Sequence, residues 1–556
     1  MAVKVKIPGH GGITLTDTHL LGSGGEGSVY ARSGTAYKIY HDPKKMIPIG
    51  KIDDLSKIKD PNVIRPQEVL LGKGDKPVGY TMRHLSDTHA ICQLFTNAFR
   101  KRHGVTPDIS LDLARGMIET YQAIHAANVL VVDGNEMNFL TDRKFKHVFF
   151  IDVDSYQTKN YKATALMESI RDRHCAGKFS EETDWFAWGI VSFNLLIGIH
   201  PFKGRHSKLQ TLDQRMEANV SVFNDEVDMP RICRPIESIP SALRNWYQAV
   251  FERGERMAPP HDFDGMILVI TDVKKTTGTN NFSITPVSKE NSEVVDYISF
   301  NGLKAVLTEK ETLNLRGDTH LLFDHSEGAV RTATISGGQL SVKDHQSNNV
   351  ASINMKGEQL TSYNGTAYFK LLDKLYQVVV HSNGNKILVS TKLAANVHEN
   401  SSKLFPGGLV IQSFFGKGNI TLLPEPGLSY SFKLDDVKGR VVDAKHDNRV
   451  IMIVTVDTSG KYHRHVLRVK KDFSSIEVME VVSDITYLGL NFATLDKGVC
   501  CHINEDGDVE LFANSPGNTN KKVIRDPAIT QDMKLLRDGD TILVAQGNQI
   551  SKLTMK

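Results

Sequence analysis

The 556-residue sequence predicts a multidomain protein: an α+β unit of two lobes followed by an all-β domain. Three observations lead there. The length exceeds what one hydrophobic core usually holds. Apolar residues recur at helix spacing in the first half, as in Leu111, Leu113, Ala114, Met117, Ile118, Tyr121 and Ile124. From about residue 296 the texture changes to short β-rich runs between turns. The expected boundaries are 1–270 for the first unit, with a small lobe over about 13–85 and a large lobe over about 86–265. Residues 271–295, rich in Thr, Asn, Ser and Lys, read as a linker, and 296–556 as the all-β domain.

Composition excludes several function classes. The chain is 40% hydrophobic and 24% charged, ordinary for a globular protein. A net charge of +3 over this length gives no reason to invoke nucleic acid or a membrane surface. The five cysteines are scattered with no CxxC pair, which fits a reducing compartment. The start, MAVKVKIPGHGG, lacks a secretion h-region. The longest apolar stretch, Trp185 to Ile199, falls short of the roughly 20 residues a span needs and reads as a buried helix. A cytoplasmic protein is expected.

Residues 13–40 read as three strands around two turns. The first turn, Gly22-Ser23-Gly24-Gly25-Glu26-Gly27, is of the kind whose backbone N–H groups can approach phosphate oxygens. A dinucleotide fold would follow it with a helix; here Ser28-Val29-Tyr30 continues as a strand. Lys38 ends the next hairpin, where the plain alternative is a solvated lysine on an edge strand. Two short strands follow at 68–71 and 78–82, then a helix from Ser110 to Ala127. That helix leads into Val131 to Asp154, which holds Asp133, Asn138 and, closing an apolar run, Asp152. An amide and a carboxylate are hard oxygen ligands suited to Mg²⁺. A further carboxylate beside them can orient a hydroxyl and accept its proton.

The ordered set resembles the Ser/Thr protein kinases, and in detail a bacterial and phage branch, the YegI-like group linked to tellurite-resistance operons. The resemblance is carried by Val132-Asp133-Gly134-Asn135-Glu136-Met137-Asn138, Ile151-Asp152-Val153-Asp154-Ser155-Tyr156-Gln157 and His200-Pro201-Phe202-Lys203-Gly204, and spans roughly 13–265. It implies a kinase-like fold binding ATP and Mg²⁺, and transfer of the γ-phosphoryl group to protein hydroxyls, the chain's own included. Gly22, Ser23, Gly24, Gly25 and Gly27 would cover the phosphates, Lys38 would hold them, and the backbone near Met82 to His84 would receive adenine. Asp133 would be the base, and Asn138 and Asp152 the metal ligands. Asn135 stands in the catalytic set where most kinases carry lysine. Candidate self-modification sites are Ser155, Tyr156, Thr158, Tyr161, Thr164, Ser169 and Ser180.

Departures from the pattern are specific. Val131 and Val132 replace a histidine and an arginine, Asp154 replaces a glycine, and no A-P-E triplet occurs near Asp172. No glutamate lies in 44–59 to pair with Lys38; Lys51 stands about there, leaving Asp53, Asp54 or Glu68 as candidates. A nucleotide-binding pseudokinase is the main rival reading and a small-molecule kinase the third.

In the second half, strands are expected over runs such as Thr319 to Phe323, Leu375 to His381, Arg449 to Val456, His463 to Val469, Tyr487 to Leu490 and Thr541 to Val544. Turns such as Asn383-Gly384, Ser459-Gly460, Asp506-Gly507 and Asp538-Gly539 separate many of them. Length and strand number suit a β-propeller of roughly five to seven blades, with a pair of β-sandwiches as the alternative. Asn504 to Asp508 does not match a calcium loop and reads as a hairpin turn. The domain is expected to bind substrate or partner proteins.

Overall fold

The chain begins with a seven-stranded sheet, antiparallel at every pairing. Its strands are β1 (Val3–Ile7), β2 (Gly11–Leu15), β3 (Leu20–Ser23), β4 (Gly27–Arg32), β5 (Thr35–Tyr40), β6 (Val69–Leu71) and β7 (Pro77–Arg83). They lie in the order β2-β1-β6-β7-β5-β4-β3, with α1 (Ile49–Leu55) inserted after β5. The computed structural model describes residues 2–263, 265, 280–315, 317–324, 329–345, 347–383, 386–414 and 417–556. Gly79 of β7 lies so close to β5 that a Cβ there would overlap the carbonyl of Lys38, which holds these two strands at a separation no other residue permits.

The next part is mainly helical: α2 (Asn97–His103), α3 (Pro107–Ala126), α4 (Glu181–Ile197), α5 (Leu212–Glu217) and α6 (Ser241–Phe251). Thr106 caps α3, its side chain accepting from Ile109 N at 3.3 Å, with Pro107 in the first turn. Helix α4 is apolar on every side, and 13 of its 17 residues are buried, as expected of a helix through the middle of a core. Gly198 ends it in the left-handed region at φ +99°. The buried Arg100 guanidinium closes the same end, donating to Leu195 O at 2.9 Å. Two short strands between α3 and α4, β8 (Phe139–Asp142) and β9 (Val148–Phe150), form a hairpin in which Phe139 faces Phe150.

Asp172 takes two charge-assisted bonds from Arg256, at 2.6 and 2.7 Å, and ties the segment before α4 to the region after α6. Burial alone would raise its carboxyl, but Arg256 outweighs burial and holds it below the ordinary range. A depressed folded value contributes stability above the unfolded value of about 3.9, lost as pH falls through the folded one. Asp172→Asn should therefore be less stable than wild type at pH 7. The gap should close below about pH 4, as followed by urea unfolding across pH.

From residue 282 the described chain is almost all β. Four-stranded antiparallel sheets cover 318–356, 359–396, 402–433, 440–485 and 492–524 in chain order, preceded by a two-stranded hairpin over 294–308. A sixth four-stranded sheet joins Phe282–Lys289 to Gln549–Met555, Thr541–Gln546 and Lys534–Asp538. The stretch expected as a linker over 271–295 is thus partly a strand, and the β region opens at residue 282. Its polar residues belong to an outer strand paired on one side only, so alternation carries little hydrophobic signal. Residues 271–279 of that stretch, and Gly384 of the expected Asn383-Gly384 turn, lie outside the described residues.

Tyr487 to Leu490 is a connection rather than a strand; its apolar side chains pack against the core instead of alternating across a sheet. No described helix is long and apolar enough to cross a membrane. The two halves share one apolar core: Val442, Val454, Val456 and Ile485 of the β region cluster with Phe139, Phe150 and α4. Ion pairs Lys203–Asp484 (2.8 Å) and Arg205–Asp506 (2.9 Å) flank that contact.

Candidate active site

Lys38 points from the centre of β5 to two carboxylates. Its Nζ lies 2.7 Å from Asp154 Oδ2 and 2.9 Å from Asp152 Oδ1. Burial by itself lowers the lysine pKa, but the two acids override it and hold the amine above its ordinary value. Asp154 is the deeper acid. Its Oδ2 also accepts from Tyr40 Oη at 2.5 Å, and its backbone carbonyl from Lys51 Nζ at 2.7 Å. Burial works to raise Asp154, while Lys38 and Tyr40 outweigh it and keep the carboxyl below the usual range.

The partner of Lys38 is therefore not Asp53, Asp54 or Glu68. Asp54 is spent on Lys57 (2.6 Å), Thr158 (3.0 Å) and Asn160 (2.9 Å), and Glu68 faces His10 at 3.7 Å. Helix α1 contributes Lys51 instead of an acid, and the negative charge comes from the strand side through Asp154. The sequence signal was the second acid two residues after Asp152, in a position where the resemblance led us to expect glycine.

Asp133 sits in a loop that the chain holds under strain. Val132 adopts φ +62°, costly for a β-branched residue. Asp184, in the first turn of α4, pins it there by accepting from Val131 N and Val132 N, both at 2.8 Å, with His125 Nε2 at 2.9 Å. Gly134 is required next, because a Cβ would overlap Tyr121 Oη. Asp133 Oδ1 accepts from Met167 N (2.7 Å) and Asn135 Nδ2 (3.0 Å); Asn138 Nδ2 donates to Asp133 O (2.9 Å) and reaches Oδ2 (3.3 Å). Burial lifts the Asp133 carboxyl above its ordinary value, an effect these donors reduce and the nearby Asp152 adds to.

Asn135 was grouped with the catalytic residues, but its side chain is buried and wholly engaged inside the loop, Oδ1 accepting from Met137 N at 2.8 Å. Its Nδ2 is committed to Asp133 Oδ1 at 3.0 Å. Asn138 and Asp152 are brought together by the β8–β9 hairpin, where Ile151 N donates to Asn138 O at 3.0 Å. Asp152 is half-exposed at φ +58°. Among the described residues no three His, Cys, Asp or Glu form a metal cluster. One outward carboxylate and one amide nevertheless match the donor set of Mg²⁺, which keeps most of its waters.

The glycine turn closes with Gly24 N donating to Gly27 O at 2.9 Å, so that N–H is spent within the turn. Ser23 Oγ meets Ser28 Oγ (2.9 Å) and His41 Nε2 (3.2 Å). Gly22, Gly24 and Gly25 face open space, whereas a Cβ on Gly27 would come within 2.5 Å of Ile39 O. Met82 pairs with Ala36 in the β5–β7 register, and the His84 N–H is engaged by Gly34 O at 3.3 Å, so it is not free for a base. Of the candidate self-modification sites, Ser155, Tyr156, Thr158 and Ser169 are buried, and Thr164 is the exposed one.

No family model matches this chain, and no curated protein matches it.

Proposed function

We propose that the protein is a cytoplasmic, Mg-ATP-dependent Ser/Thr protein kinase with a kinase-like first half and a propeller-like second half. The observation that carries this reading is the gathering of Lys38, Asp152, Asn138 and Asp133 from three segments of the chain, with an open glycine turn in the same sheet as Lys38. Phosphoryl transfer depends mainly on positioning and charge neutralisation, which is what such a set offers. Lys38 would hold phosphate oxygens, and the glycine turn would cover them. Asn138 and Asp152 would hold Mg²⁺, whose contribution is to neutralise phosphate charge. Asp133, fixed by Met167 N–H and Asn135, would orient the acceptor hydroxyl and take its proton. The propeller reading is supported by consecutive four-stranded sheets and by the pairing of 282–289 with 549–555, which joins the region's two ends.

A nucleotide-binding scaffold is the second reading, favoured by two observations. Asn135 supplies no positive charge near Asp133, and Lys38 is already satisfied by two carboxylates. The two readings separate in one experiment on purified protein with γ-labelled ATP, Mg²⁺ and casein. The kinase reading expects label in protein and a Mg-ATP-dependent rise in melting temperature. The scaffold reading expects the rise alone. Neither transfer nor a rise would remove both.

A further inference from the structure

The all-β domain reaches the loop of Asp133 at two points and the neighbouring 167–169 segment at a third. Tyr462 Oη donates to Glu136 Oε1 at 2.7 Å, and Glu136 lies buried within that loop. Arg440 Nη1 donates to the carbonyl of Met137, the next residue, at 3.2 Å. Gly460, in the hairpin turn before Tyr462 and at φ +83°, packs so tightly on residues 167–169 that a Cβ would overlap Ser169 Oγ and come within 2.9 Å of Met167 Cγ. Met167 in turn gives its N–H to Asp133 Oδ1. A domain that only recruited partners could hang from a tether and would need none of these contacts.

The buried carboxyl is the sensitive element. Glu136 is buried, and the Tyr462 hydroxyl reaches it from the all-β domain as a donor. A buried acid that loses its donor costs far more than an ordinary hydrogen bond, because nothing replaces the water it gave up. The loop would then move to hydrate Glu136, and Asp133 lies three residues away.

We propose that the all-β domain forms one wall of the active site, with Tyr462, Arg440 and Gly460 as positioning residues that hold Asp133 through Glu136, Met137 and Met167. The inference rests on Asp133 being the base, and it goes beyond recruitment: the first half alone would carry a misaligned site. A displacement of about 1 Å at such a group is enough to cost about 100-fold in rate.

The test uses the full chain and three variants: Tyr462→Phe, the double variant Glu136→Met/Tyr462→Phe, and Arg205→Ala, which cuts an ion pair elsewhere on the same interface. Tyr462→Phe should lower kcat for casein about tenfold while KM for ATP stays within about twofold. Amide exchange should speed up in residues 131–139 and 164–170 but not across α4. In the double variant neither buried group is left unpaired, so kcat should return to within about threefold of wild type. Arg205→Ala should change neither readout. Unchanged kcat and loop exchange in Tyr462→Phe overturns the proposal, as does a slower enzyme whose exchange rises equally everywhere and is not rescued. If wild type transfers no phosphoryl group, the kinase reading fails, and loop exchange alone then decides whether the wall exists.

Discussion

Asp133→Asn should lower phosphoryl transfer by about 10²–10⁴-fold while leaving Mg-ATP binding within about twofold, since a positioned general base contributes that much to a rate. The substitution keeps the shape of the side chain and removes its ability to take a proton. Its Oδ1 can still accept from Met167 N and Asn135 Nδ2. Its new Nδ2 faces Asn138 Nδ2 across the 3.3 Å contact now made by Oδ2. Two donors in that place should cost about 1–2 kcal/mol of stability, a loss too small to explain the lost rate. Initial rates together with Mg-ATP-dependent melting shifts check both halves. A rate within threefold of wild type would remove Asp133 from the reaction.

Lys38→Met is the larger perturbation of the fold. The lysine is buried, and its removal strips a cation from Asp154 Oδ2, leaving neutral hydroxyl donors such as Tyr40 Oη. Breaking a buried pair from one side typically costs about 3–5 kcal/mol, because the remaining charge is left without a compensating charge or water. Loss of Mg-ATP stabilisation should accompany it. The double variant Lys38→Met/Asp154→Leu replaces both partners with apolar groups and should recover most of the stability but none of the transfer. Urea unfolding of the two variants decides the matter. If Lys38→Met unfolds like wild type, Asp154 is not held by that lysine.

The same two residues mark how far the sequence could be read. Lys38, Asp133, Asn138 and Asp152 were legible because each sits at a fixed distance from a local pattern: a glycine turn, a helix end, an apolar run. Helices α3 and α4 were legible because helix periodicity and apolar length are local properties. The long strand runs of the second half were legible for the same reason, apart from Tyr487 to Leu490, whose short apolar run carries no period.

By itself the sequence determined where chemistry-bearing side chains occur, and that α+β structure gives way to β structure. Tertiary structure alone decided which of them meet. Asp154 answers Lys38 across 116 residues, Tyr462 answers Glu136 across 326, and the strand at 282–289 pairs with the last strand of the chain. The physical reason is that propensity and periodicity act over a few neighbouring residues. A salt bridge or a buried hydrogen bond depends on the path of the whole chain, and that path follows from packing all the apolar faces at once.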